Sequence, residues 1–111
     1  MIHLYTLVAK DLKGLLSSKA QPVLIGSKTF EIVSSCETFT KEHDQQKEVI
    51  PYINMIRMAA IRMNRASSGT GGLGNSGKFN YEMALRDEQA MEKDLKIAAE
   101  LLGIELKELN S

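Results

Sequence analysis

The chain lacks several of the devices that usually announce a function. It has one cysteine, Cys36, which excludes an intrachain disulfide and fits a reducing compartment. It has no net charge, because fourteen basic residues balance fourteen acidic ones, so no global field draws it to nucleic acid or to a membrane surface. No apolar run approaches the roughly 18 residues of a membrane span. No basic segment precedes the apolar start "MIHLYTLVA", so no secretory leader is expected and the expected location is cytoplasmic. Tryptophan is absent, and the six aromatics are Tyr5, Phe30, Phe39, Tyr52, Phe79 and Tyr81. His3 and His43 stand far apart and Cys36 has no spaced partner, so no metal-site pattern and no cofactor are expected.

What is present is 111 residues at 43% hydrophobic, which predicts a single domain over 1–111 with one core and little room for a cleft between domains. Residues 1–36 read as β-rich. Ile2 and Leu4 alternate with His3 and Tyr5, and "PVLIGSKTFEIV" has two β-favouring runs around Gly26-Ser27, a pair suited to a type II′ turn. Residues 38–66 read as helical, with Pro51 kinking the segment or restarting it. A Gly/Ser-rich loop follows at 67–78, then a helix over 80–102 and a short tail at 103–111. Asn80 is the expected N-cap of that helix, Glu82 suits its first turn, and Gly103 is the expected C-terminal glycine. The predicted fold class is therefore α+β. A small antiparallel sheet from the N-terminal third packs on a long antiparallel helical hairpin, whose helices are joined by the flexible loop.

Charge is distributed less evenly than its sum suggests. No acid lies between Glu48 and Glu82, a stretch that carries Arg57, Arg62, Arg65 and Lys78. From Tyr81 onward eight acids face four bases, so the two helices of the hairpin have the means to neutralise each other. Glu88 and Glu92, four apart, fit a solvated face of the second helix.

Two near-motifs invite a sharper reading. Gly72 to Lys78 has the G-x-x-x-x-G-K spacing that resembles a P-loop, whose glycine backbone cradles phosphates while lysine neutralises them. The next residue is Phe79, which cannot bind magnesium as Ser or Thr would, and the upstream segment reads as a helix where a P-loop needs a strand. A weaker expectation is an anion site built from Arg62, Arg65, Lys78, Gly72 and Gly77, with Phe79 and Tyr81 as a stacking face. The second near-motif, "KIAAELLGIELKELNS", resembles the first helix and turn of a helix-turn-helix at Ala99, Leu102, Gly103, Ile104 and Leu109. Its second helix would be barely two turns long and would carry Glu105 and Glu108, which repel phosphate.

The segment from Pro51 to Ala66 is apolar nearly all round and rich in methionine, which adapts to irregular surfaces. Ile53, Ile56, Met58, Ile61 and Met63 are the expected interface of a homo-oligomer. The leading expectation is a non-catalytic, oligomerising interaction module. It would bind a protein partner or an anionic ligand through this helix and the adjoining loop, with no catalytic residues. The alternatives are a nucleic-acid-binding or transcription-type accessory protein, of the kind phages and mobile elements encode, and a nucleotide-dependent enzyme with a degenerate P-loop. Neither nucleic acid, nucleotide nor membrane is the favoured partner.

Overall fold

The computed structural model describes residues 2–69 and 79–103, with side chains at 10–68 and 79–103. Four helices account for nearly all of them: α1 (Ile2–Ser17), α2 (Pro22–Glu42), α3 (Ile50–Gly69) and α4 (Tyr81–Leu102). No strand occurs among the described residues, so the expected N-terminal sheet is replaced by α1 and α2 and the α+β assignment is corrected to all-α.

The physical reason is a repeat of seven. In α2 the buried residues are Ile25, Thr29, Ile32, Cys36 and Phe39, alternately four and three apart. In α4 the same rhythm runs through Ala84, Glu88, Met91, Leu95 and Ala98. From Val49, just before α3, the rhythm runs on through Ile53, Ile56, Ala60 and Met63, and Leu12 and Leu16 are buried one turn apart on α1. A 3.5-residue apolar period keeps one seam facing its neighbours and suits the shallow packing of helix bundles. Local β preference around Gly26-Ser27 loses to this seam, because burial of the whole stripe outweighs the small propensity cost of its β-branched residues.

Side-chain links between the helices fix their order and sense. Lys28 on α2 reaches Asp11 on α1 at 3.5 Å, Arg57 on α3 reaches Glu37 on α2 at 3.4 Å, and Arg62 reaches Asp87 on α4 at 3.3 Å. Lys13 and Glu92, 3.7 Å apart, join α1 to α4. Along α2 and α3 the partners run in opposite order, Glu37 with Arg57 and Gly26 with Asn64, which is the pattern of antiparallel neighbours. Each helix packs against the next, and α4 closes against α1.

Punctuation residues set the ends. Pro22 begins α2, where its missing N–H costs nothing. Lys19 takes a left-handed φ of 55° in the tight turn before it, with the Ala20 N–H donating to the Leu15 carbonyl at 2.9 Å. Pro51 lies in the first turn of α3, so it restarts the chain as a new helix. Of the two readings of 38–66, a kink or a restart at Pro51, the restart is the one found, with residues 43–49 turning between α2 and α3. At α4 the expected caps form. The Asn80 Oδ1 accepts from the Met83 N–H at 3.0 Å, and Gly103 closes the helix at φ 76°.

Candidate functional site

The end of the bundle where α1 stops, α2 starts, α3 stops and α4 starts carries a groove of about 1250 Å³. The short α1–α2 turn places Lys19 and Gln21 at its mouth. Pro22, Val23 and Phe30 form one wall, and Val23 and Phe30 are 69% and 66% exposed. The α2 seam runs through Ile25, Thr29 and Ile32, so Val23 and Phe30 fall off it and turn outward.

The floor is polar. Asn64 on α3 donates its amide to the Gly26 carbonyl at 2.9 Å and to the Thr29 hydroxyl oxygen at 3.1 Å. The Thr29 hydroxyl donates to the carbonyl of Ile25 at 2.9 Å or of Gly26 at 3.0 Å, the usual solution for a hydroxyl buried in a helix. Ser67 and Ser68 donate to the Asn64 carbonyl at 2.8 and 3.1 Å. Gly26 gives room here, since a Cβ at this position would stand 2.8 Å from the Ser67 hydroxyl oxygen, which would have to shift. Two small residues thus let α2 and α3 approach closely below the groove.

The far wall is Phe79 and Tyr81, packed edge to face with centroids 4.9 Å apart. The Tyr81 hydroxyl donates to the Ala20 carbonyl at 2.5 Å and ties the start of α4 to the α1–α2 turn. Phe79 is buried. The stacking face expected from these two aromatics is therefore largely spent on their own contact and on the core.

The expected anion constellation is not assembled among the described residues. Lys78, Gly72 and Gly77 lie outside them. Arg62 and Arg65 are exposed on α3 and do not line the groove that Phe79 and Tyr81 line. Arg62 is paired with Asp87, and Arg57 with Glu37, so part of the basic helix is balanced by its neighbours. Of the expected interface residues, Ile53, Ile56 and Met63 are core residues, Ile61 is half-buried and Met58 is exposed together with Met55. Most of the apolar circumference of α3 is covered within the chain by α2 and α4.

One buried group was not foreseen as such. Glu88 sits on the α4 seam, 3% exposed, and its Oε2 has no hydrogen-bond partner among the described residues. Burial pushes its carboxyl up to about 7, nearby Glu92 adds to the effect, and Lys13 on α1 opposes it. Burial likewise raises Asp94, further along the same helix. The signal for Glu88 was the four-three spacing with Ala84 and Met91, which places it on the seam and away from the solvated face. Lys19, Val23, Phe30, Asn64 and Ser67 were also missed, and the outward position of Val23 and Phe30 is legible only once the α2 repeat is recognised.

Chemically, the groove offers apolar contact, amide and hydroxyl groups, and single charges at Lys19 and Glu31. Cys36 is buried in the α2 seam, and the His43 ring is stacked on Phe39 at 4.1 Å. No cluster of three metal-ligating side chains occurs among the described residues, and no described helix is long and apolar enough to cross a membrane. No protein family, curated protein or solved structure matches the chain.

Proposed function

We propose that this protein is a non-catalytic binding module whose bundle-end groove receives an apolar segment of a protein partner. The observation that carries the reading is the pair Val23 and Phe30, both about two-thirds exposed beside a large groove. Large apolar side chains gathered at a concave site mark interaction surfaces more often than scattered ones do. Each such side chain contributes on the order of 1.5–3 kcal/mol when fully buried, so Val23 and Phe30 supply only part of the roughly 8 kcal/mol of a micromolar interaction, and contacts with the polar floor and Lys19 supply the rest.

The ligand's polar character follows from the same site. Lys19 stands at the mouth, and the N-cap residue of α2, Gln21, makes no side-chain capping bond. An acidic residue in the partner segment would be favoured at this helix start. This combines the protein-partner and anionic-ligand expectations at one place, the start of α2, in place of the loop and the basic face of α3.

The test is selection of binding peptides from a random library, followed by titration of isotope-labelled protein. Chemical shifts should move at Lys19, Val23, Phe30 and Ser68, and Phe30→Asp should weaken binding at least tenfold while the far-ultraviolet spectrum is retained. Selected peptides that bind Phe30→Asp as tightly as wild type would refute the groove as the site.

A further inference from the structure

A second surface, away from the groove, has a self-complementary pattern. Met55, Met58, Arg62 and Ala66 lie three, four and four residues apart on α3, all exposed, and so form one line along its outer side. On α4, Met83, Asp87 and Ala90 form a matching line, with Met83 61% exposed. The two lines are in register. Arg62 and Asp87 are bonded at 3.3 Å, and one turn toward the groove end Ala66 and Met83 line a small hollow together. The face is thus a central pair of opposite charges with methionine on either side.

We infer that this outer face of α3 and α4 is where two copies of the chain associate. A twofold axis running along the bundle, between the two helices, sets each α3 against the α4 of the other copy. Heights along the bundle are preserved by such an axis. Arg62 then meets the other copy's Asp87, Ala66 meets Met83, and Met58 meets Ala90. A large side chain faces a small one at both apolar layers, which lets the two surfaces interdigitate. The charges close a four-membered ring at the centre, and this fixes the register.

The size is adequate. α3 has 20 residues and is about 30 Å long, and two helices about 10 Å apart present a face roughly 20 Å wide. That gives about 600 Å² on each copy, toward the lower end of specific protein interfaces. Methionine suits this role, because its unbranched side chain adapts to the opposing surface. The inference is independent of the groove, since no residue of the face lines it.

Charge-swapped variants provide the test, read by sedimentation equilibrium at ~100 μM, well above a micromolar dissociation constant. Wild type should have twice the chain mass of 12.3 kDa, and Met58→Glu should be monomeric with unchanged helicity. Arg62→Asp alone and Asp87→Arg alone should each be monomeric, because each places four like charges at the centre of its own dimer. Mixed in equal amounts they should form a heterodimer, since each charge then meets its opposite across the interface although neither chain regains its internal pair. A monomeric wild type, a mass that grows beyond the dimer with concentration, single variants that remain dimeric, or a mixture that stays monomeric would each overturn the assignment. Phe30→Asp, which alters the groove, should leave the dimer intact.

Discussion

Replacing Glu88 with glutamine should make this protein more stable above neutral pH and leave it nearly unchanged near pH 4.5. Glu88 lies on the buried seam of α4 with one carboxylate oxygen unpaired among the described residues, and its carboxyl is raised from 4.5 to about 7, chiefly by burial. Because the folded value exceeds the unfolded one, the favourable contribution is complete below about 4.5 and is lost as pH rises through about 7. A tenfold change in proton affinity corresponds to about 1.4 kcal/mol, so the wild type should lose about 3 kcal/mol from this group between pH 4.5 and pH 8. The neutral amide keeps the shape and does not ionise. Urea unfolding followed by circular dichroism at both pH values measures the difference, and comparing the variant with wild type cancels every other titrating group. Glu92→Gln should move the wild-type loss to lower pH, because Glu92 is one of the groups that raise Glu88. If Glu88→Gln retained the wild-type difference between the two pH values to within about 0.5 kcal/mol, Glu88 would not be an ionising core residue and the argument from burial would fail.

Gly26→Ala should destabilise the fold by about 1 kcal/mol despite the better helix propensity of alanine, because the new Cβ meets the Ser67 hydroxyl oxygen at 2.8 Å. In a Ser67→Ala background the same change should become neutral or stabilising, and equal effects in both backgrounds would show that the helices do not approach closely there. Asn80→Ala should cost about 1 kcal/mol in urea unfolding through loss of the cap on the Met83 N–H, whereas Asn80→Asp should retain most of it.

The helical hairpin of α3 and α4 was legible because its signals agree. Asn80, Glu82 and Gly103 mark the limits of α4, and the apolar spacing between them has a helical period. The α2 segment was misread because its signals conflict over a short window. From Pro22 to Val33 the run of Val, Leu and Ile before Gly26-Ser27, with Thr29, Phe30, Ile32 and Val33 after it, has the composition of a hairpin. Only when the window extends to Phe39 does the spacing of Ile25, Thr29, Ile32, Cys36 and Phe39 give a period of seven. Pro22 was the local clue, since proline is favoured in the first turn of a helix. The glycine that suggested a turn makes room for the neighbouring helix, a reason that no reading of α2 by itself can contain.

The same distinction explains why the candidate sites moved. Arg62 and Phe79 were grouped because they flank one loop, yet neighbours in sequence need not share a surface. α3 directs Asn64 and Ser67 toward α2 and Arg62 toward α4, so two surfaces begin on the same two turns of one helix. The polar cluster then has a structural consequence for function. Apolar seams with a seven-residue repeat allow helices to slide by a whole repeat, and a buried polar pair opposes this because slippage leaves both partners unsatisfied. Asn64 bonds to Gly26 and Thr29 together, so a slip would take both acceptors from its half-buried amide at once. That bond sets the height of Phe30 against Ser67 and Ser68, and with it the shape of the groove. Fixing α2 against α3 also fixes where Met58 and Arg62 stand on the outer face. One polar contact in the seam therefore governs both the proposed partner groove and the proposed face between copies.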